Sequence, residues 1–282
     1  MSSNNNLSLS PFVKWAGGKR QIKEIIIKMI PKEFNTYFEP FLGGGAIFFE
    51  LKPKKAYIND INKNLMDIYS CFTNENYFNN LVDELNKLEK LHSEKTYYEI
   101  RSMDKDHRFN LLPIWVKAGR TIYLNKSCFN GLYRVNSKGF FNVPFGKKEK
   151  VTLYSKENFD NIKKYFANNE IKIYSENYID IVSNAKENDF IYFDPPYYNL
   201  DDKNSFTTYT EYDFNKEDQV KLSNVFKELD KRNVKLMLSN HNTKLIRELY
   251  KDYKITIVKA KRMINSNASK RGKIEEVIIT NY

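Results

Sequence analysis

The chain has 282 residues, 41% hydrophobic and 15% aromatic, enough for one large domain or a catalytic domain with a sizeable insertion. Its 46 Lys and Arg exceed its 35 Asp and Glu, giving a formal charge of +11 that points to a polyanion, nucleic acid first and an acidic membrane surface second. Two cysteines, Cys71 and Cys128, exclude a disulfide framework, and no apolar run reaches the roughly 18 residues of a membrane span. The opening "MSSNNNLSLS" lacks a charged region followed by an apolar one, so it reads as a loose tail and not a signal peptide. A reducing cytoplasm is the expected location.

In chain order, "GGKRQIKEIIIKMI" reads as a helix ending at Pro31, followed by the short strand "TYFEP", the turn "FLGGGA" and the helix "AIFFEL". The strand "KAYIND" completes a βαβ unit, the grammar of a parallel sheet. From about Ile61 to Lys126 the apolar spacing is helical, in "NLMDIYSCF", "YFNNLVDELNKLEKL", "TYYEIRSM" and "LLPIWVKAGRTIYL". Residues 127–150 turn loop-like or hairpin-like, with aromatics and bases around Gly131, Gly139 and Gly146. After the helix "KENFDNIKKYF" come the strands "IKIYS", "DFIYF", "KLMLSN" and "KITIVKA", with helices near 215–231 and 242–250. The final "EEVIITNY" reads as a strand antiparallel to its predecessor, because only the basic loop 259–273 joins them. The whole is one α/β sheet domain split by a mostly helical insertion.

Ligands of parallel sheets collect at the carboxyl ends of strands. Three acids fall there: Glu39, Asp60 and Asp194. The turn holding Gly43, Gly44 and Gly45 lets a ligand approach the backbone, and Asp60 is placed to accept hydrogen bonds from a ribose. "KWAGGKR" fails the spacing of a phosphate loop; Trp15 reads either as a stacking lid or as a core residue, with Lys19 facing a carboxylate. In "IYFDPPYYNL" a strand ends in Asp194 and is stopped at once by Pro195 and Pro196, with Tyr197 beyond.

The blocks "FVKWAGGKR", "YFEPFLGGGAIFFEL", "YIND", "NGLYRVNSKGFFNVPFGK", "IYFDPPY" and "LSNHN" together resemble the Dam-type DNA adenine-N6 methyltransferases. Among these the chain is most similar to the GATC methylases of the Dpn and Mbo restriction systems, from about residue 11 to residue 282. The resemblance implies a Rossmann-like class I methyltransferase sheet, mostly parallel with the last strand antiparallel. Residues 1–62 and 168–282 would form the catalytic domain, and 63–167 a helical and hairpin target-recognition domain. It implies S-adenosyl-L-methionine as cofactor and double-stranded DNA as partner; the sequence points to no metal and makes no obligatory protein partner evident.

Carried over by position, Trp15, Ala16, Gly17 and Lys19 match the cofactor lid, and Glu39, Pro40, Phe41, Gly43 and Gly45 the glycine turn. Asp60 matches the ribose-binding acid. Asp194 would meet both cofactor and target base, with Pro195, Pro196 and Tyr197 completing the catalytic motif. The Asp194 carboxylate and Pro195 carbonyl would accept the N–H bonds of a flipped-out adenine, and the Tyr197 ring would stack on it.

The segment 126–150 interleaves Lys and Arg with Phe and Tyr, as a DNA reader would. By resemblance, Phe129 and Asn130 match an intercalating and base-step-contacting pair, and Leu132, Arg134 and Pro144 match recognition residues. Lys14 matches a contact to the outer guanine, Asn136 joins the DNA-facing set, and Lys148 occupies a position that is aromatic in some relatives. The bland reading of this segment is a basic hairpin with a small aromatic core. Lys270 and Arg271 lie in "KAKRMINSNASKRGK", six bases in fifteen residues, which suits phosphate contact.

Rival chemistries fit less well. Cytosine-C5 methylation needs a nucleophilic cysteine, usually after proline, whereas Cys71 and Cys128 each follow serine and read as packing residues. Metal catalysis lacks support because His92, His107 and His241 are scattered; His241 reads as a solvated loop residue, with a place bordering the site as the alternative. A protein-glutamine methyltransferase would carry Asn in place of Asp194. Two further alternatives are a non-catalytic DNA-binding module of the same fold and an adenine methyltransferase with another nucleic-acid site.

Overall fold

The computed structural model describes residues 7–15, 17, 19, 22–197, 214–261 and 273–282, with backbone alone at 260, 261, 273 and 274. Its strands are β1 (Tyr37–Glu39), β2 (Lys55–Asn59), β3 (Glu170–Tyr174), β4 (Phe190–Phe193), β5 (Lys235–His241), β6 (Lys254–Lys261) and β7 (Lys273–Thr280). They form one sheet in the order β3-β2-β1-β4-β5-β7-β6. The first five run parallel, and β7 lies antiparallel between β5 and β6. The antiparallel pairing of the last two strands is as expected; the insertion of β7 between β5 and β6 is not foreshadowed by their order in the chain. Strand order reverses between β1 and β4, which opens a crevice at their carboxyl ends.

β4 shows why the sheet is central. Its four residues, Phe190 to Phe193, are all buried, the continuous apolar run of a strand covered on both faces. The period-two alternation of side chains divides them between two apolar layers. Phe190 and Tyr192 join Tyr37, Ile58, Met237 and Ile278 on one face. Ile191 and Phe193 join Phe38, Leu236, Leu238 and Ile279 on the other.

The second face is covered by α8 (Tyr178–Val182), α9 (Lys216–Asp230) and α10 (Lys244–Leu249). The first carries α1 (Lys23–Met29), α2 (Ala46–Leu51), α3 (Lys63–Cys71), α4 (Glu75–Lys90), α5 (Glu94–Ser102), α6 (Ile114–Ser127) and α7 (Lys156–Ala167). One apolar cluster runs from the sheet into these helices without a break. Side-chain caps start most of them: Asn62, Asn74, Ser93, Ser155 and Thr243 each accept a backbone N–H two or three residues into the first turn, and Asn215 forms a capping box with Asp218.

Two departures from the periodicity are instructive. The first helix begins at Lys23 and not near residue 17, because Gly17 holds φ +76° and Ile22 is non-helical. It ends at Met29, since Ile30 turns extended before Pro31. The five-residue α8 falls in a stretch too short to show a helical period. Both cysteines are buried as expected; burial pushes the Cys71 thiol up to about 12 and the Cys128 thiol up to about 11. Among the described residues no helix is long and apolar enough to cross a membrane.

Candidate active site and nucleic-acid interface

At the reversal point, β4 delivers Asp194 into a network built from three strands. Ser239, from β5, donates its hydroxyl hydrogen to Asp194 Oδ1 at 2.8 Å and lies 2.9 Å from the Tyr192 hydroxyl. The Lys19 ammonium, on a side chain 7% exposed, pairs with the same carboxylate oxygen at 2.7 Å and also donates to the Gly17 carbonyl. Burial raises the Asp194 pKa, while Lys19 and the Ser239 hydrogen bond oppose that shift. The carboxylate expected to face Lys19 is therefore supplied by the protein itself.

The motif after Asp194 is anchored residue by residue. Pro195 is buried, and the Pro196 carbonyl accepts from Gln219 Nε2 at 3.0 Å, so α9 pins the second proline. Asn240 in turn holds Gln219 at 3.0 Å. Tyr197 donates its hydroxyl hydrogen to Glu276 Oε2 of β7 at 2.9 Å, and Lys19 Nζ sits 4.3 Å from its ring centroid. His241 closes the edge of the ring, with centroids 4.7 Å apart and planes at 71°. His241 is thus a strand-end residue at the site, not the solvated loop histidine expected. β5 carries it there, opposite Glu276 in the ladder.

The glycine turn stands beside this network. Asp60, beyond the end of β2, accepts the Gly43 N–H at 2.9 Å and the Asn62 N–H at 2.9 Å. Burial raises its pKa, and those two backbone donors oppose the shift. Gly43 has φ +52°, and a Cβ there would lie 3.0 Å from the Trp15 indole, so Trp15 packs directly over the turn. On its other side Trp15 meets Tyr133 with centroids 4.8 Å apart. Gly45 caps α2. The Pro40 carbonyl accepts from Asn59, and Phe41 joins Tyr178 and Phe214 in an aromatic wall, with centroid distances of 5.0 and 5.8 Å. Glu39 points inward and is 2% exposed; it accepts the Tyr37 hydroxyl at 2.7 Å. Burial pushes its pKa up to about 8, which keeps it largely protonated at neutral pH. Ser175, just past β3, holds a buried hydroxyl with no hydrogen-bond partner among the described residues. Ala16 lies outside the described residues.

Residues 127–148 form a loose antiparallel loop with isolated bridges at Cys128↔Phe145 and Val135↔Phe141. Phe129 projects, 53% exposed, and donates its backbone N–H to the Pro144 carbonyl at 3.0 Å. Asn130 is exposed beside it at φ +57°. Gly131 holds φ +67° and passes so close to the Lys14 side chain that a Cβ would sit 2.6 Å from Lys14 Cδ. Asn125 bonds both segments, through Lys14 N–H at 2.9 Å, Lys14 carbonyl at 2.8 Å and Gly131 carbonyl at 3.2 Å. Leu132 is half-buried. Arg134 Nε donates to Asn142 Oδ1 at 2.7 Å, so the Asn142 amide helps to orient its guanidinium. Asn136 closes the tip by accepting the N–H groups of Lys138 and Phe140, each at 3.0 Å. Lys148 donates to the Lys126 carbonyl. Tyr133 and Phe141 belong to the core, as the bland reading had it for part of this segment. Lys270 and Arg271 lie outside the described residues.

Sequence reasoning missed Ser239, Gln219, Glu276 and Ser175. Polar residues ending an apolar strand, Ser239 and Asn240 in "KLMLSN", were the available signal. Glu276 carried none, because only the ladder order brings β7 beside β5.

The chain is similar to known proteins over nearly its whole length. The chain is 44% identical over 278 residues to a type II methyltransferase of Lactococcus lactis subsp. cremoris, covering 99% of this chain and 97% of the relative. It is 40% identical to a type II methyltransferase of Methanocaldococcus jannaschii, covering 98% and 100%. It is 33% identical to the DNA adenine methylase of Escherichia coli, covering 95% and 93%. Residues 15–264, which span the glycine turn, the 127–148 loop and Asp194, match the family described as D12 class N6 adenine-specific DNA methyltransferase. The seven-stranded sheet is the class I methyltransferase fold expected, and the chain is a member of that adenine-specific DNA methyltransferase family.

Proposed function

We propose that the protein transfers a methyl group from S-adenosyl-L-methionine to adenine N6 within double-stranded GATC, on a base turned out of the duplex. The observation that carries this is the Asp194 carboxylate at the strand-order reversal, already holding an N–H donor, the Lys19 ammonium, at 2.7 Å. An adenine amino group presents the same kind of donor.

The residues around the glycine turn fit the cofactor. Gly43 lets the Trp15 indole pack against the turn, Asp60 is fixed by two backbone N–H groups, and the Ser175 hydroxyl is buried with no hydrogen-bond partner among the described residues. Trp15, Ala16, Gly17, Lys19, Pro40, Phe41, Gly43, Gly45 and Asp60 would hold it, with Glu39 buried and bonded to the Tyr37 hydroxyl. When bound, S-adenosyl-L-methionine supplies an electrophilic methyl group.

The chain's own residues prepare the nucleophile. The adenine amino nitrogen is weak because its lone pair is delocalised into the ring. The Asp194 carboxylate and the Pro195 carbonyl accept its two N–H bonds, favouring a pyramidal nitrogen whose lone pair points away from both. Burial makes Asp194 a better proton acceptor, so it can hold the proton the nitrogen sheds. Pro196, pinned by Gln219, fixes the backbone, and Tyr197, tethered to Glu276, offers its ring to the base. Preorganised acceptors and positioning supply most of such a rate enhancement. A base stacked in a duplex cannot reach this depth, hence base flipping.

In this reading residues 63–167 form the target-recognition domain, and 1–62 with 168–282 the catalytic domain. Phe129 and Asn130 enter the base step, Leu132, Arg134, Asn136, Pro144 and Lys148 face the major groove, and Lys14 reaches the outer guanine. Lys270 and Arg271 track phosphates. The enzyme works on DNA in the cytoplasm, in a restriction–modification system or as a stand-alone GATC methylase. The test is plasmid methylation followed by digestion with nucleases that differ in sensitivity to adenine methylation at GATC. Protection confined to the methylation-sensitive enzyme is expected; protection at another sequence instead would overturn the GATC assignment.

A further inference from the structure

The returning limb of the recognition loop, residues 141–148, has no regular sheet partner, since its contacts with the outgoing limb are isolated bridges. Backbone groups withdrawn from water need partners all the same. Side chains of the neighbouring helical layer supply them. Asp104 Oδ2 accepts the Phe141 N–H at 2.8 Å. Tyr97 donates its hydroxyl hydrogen to the Val143 carbonyl at 2.8 Å, and Arg101 donates Nη1–H to the same carbonyl at 3.2 Å. His92 Nε2 lies 3.0 Å from the Lys148 carbonyl. Tyr97 and Arg101 stand four apart on α5, hence on one face, and Asp104 continues the row past the helix end.

The row is itself braced from behind. The Arg120 guanidinium, 4% exposed, pairs with Asp104 at 2.7 Å and donates to the carbonyls of Ile100 and Arg101 at 2.9 and 2.8 Å. His92 Nδ1 lies 3.0 Å from the Tyr123 hydroxyl, which leaves Nε2–H to donate to Lys148. Such bracing is unnecessary for surface filling and suits an element whose position matters.

We propose that His92, Tyr97, Arg101 and Asp104 form a clamp that fixes the register of residues 141–148 and thereby the DNA sequence the enzyme selects. They are positioning residues: each touches the backbone of the limb, and none of the four belongs to the set that faces DNA. The inference rests on the reading of residues 127–148 as the segment that contacts bases. Asn142 sits between two clamped residues and holds Arg134 Nε at 2.7 Å, while Pro144, next after Val143, holds the Phe129 N–H at 3.0 Å. Slippage of the limb would therefore displace both the guanidinium and the projecting ring. A bidentate base contact depends on alignment, so discrimination suffers before general DNA affinity does.

The experiment measures kcat/KM on a GATC duplex and on each singly substituted duplex for wild type, Tyr97→Phe, Tyr97→Phe/Arg101→Met and Arg134→Ala. The ratio of cognate to substituted rates should fall on the order of tenfold in the double variant, and less in Tyr97→Phe, with calorimetric cofactor affinity unchanged. Simple destabilisation lowers every rate by one factor and leaves the ratio alone. If the double variant does not fold, Tyr97→Phe, which removes one oxygen atom and keeps the ring, carries the same ratio test. An unchanged ratio in the clamp variants, with a lowered ratio in Arg134→Ala, overturns the clamp and keeps the segment as reader. An unchanged ratio in Arg134→Ala as well overturns the segment's role, and the clamp with it.

Discussion

Replacing Lys19 by methionine should move the acidic limb of the pH–rate profile upward. Lys19 Nζ lies 2.7 Å from Asp194 Oδ1, and the two side chains are only 7% and 18% exposed, so water screens the pair little. An opposite charge this close lowers a carboxyl pKa by about 1–3 units, or about 1.4–4 kcal/mol. Burial raises the Asp194 pKa, and the nearby Glu276 charge adds to that; Lys19 is the largest influence acting the other way. Methionine keeps most of the apolar stem and removes the charge. With Lys19 gone, a higher pH is needed to ionise Asp194, and the acidic limb shifts to higher pH. The assay is kcat/KM for a GATC duplex at saturating cofactor from about pH 5 to about pH 9, because this ratio reports the cofactor-loaded enzyme before DNA binds. A limb at the wild-type pH, with only a lower plateau, would refute the electrostatic role and leave Lys19 as a ligand contact alone.

Tyr197→Phe keeps the ring but loses the tether to Glu276, whereas Tyr197→Ala loses both. Single-turnover transfer should therefore fall within about tenfold for Phe and well beyond it for Ala, stacking alone contributing about 1–3 kcal/mol; equal loss in both would make the hydroxyl decisive. Asp60→Ala removes the acceptor of the Gly43 and Asn62 N–H groups, so calorimetry should show weaker cofactor binding, with a smaller effect on transfer at saturating cofactor. An unchanged dissociation constant would place the ribose contact elsewhere. Glu39 has its folded pKa raised from 4.5 to about 8, so between those values the folded protein holds a proton that the unfolded chain has released. Stability should fall as pH rises through that window, and Glu39→Gln should abolish the slope and raise the melting temperature near pH 8, by up to a few kcal/mol of stability. Parallel melting profiles of the two proteins against pH would show that Glu39 ionises normally.

The sheet was legible because parallel strands covered on both faces write uninterrupted apolar runs, as "FIYF" does at Phe190–Phe193. Asp194, Asp60 and the glycine turn were legible because each sits where a strand must stop. What local pattern could not carry was the placement of β7, and with it Glu276 beside Tyr197 and His241, since the order of strands across a sheet is a tertiary property. Lys19 posed the same difficulty: its pairing with Asp194 joins residues 175 positions apart in the chain. In the loop 127–148 the residue types were readable, but the division between core and surface was not. Tyr133 and Phe141 are buried while Phe129 projects, and alternating aromatics in an irregular loop have no period to tell them apart.

The central claim, that Asp194 receives an adenine amino group for methylation at GATC, is tested most directly by one single-turnover measurement. Wild type and Asp194→Ala are mixed with methyl-labelled S-adenosyl-L-methionine and a GATC duplex, and the DNA is digested to nucleosides. Label is expected in N6-methylated adenine alone, at a rate lower by on the order of 100-fold or more in Asp194→Ala, which still binds the duplex. Label on cytosine, or a near-wild-type rate in Asp194→Ala, would contradict it.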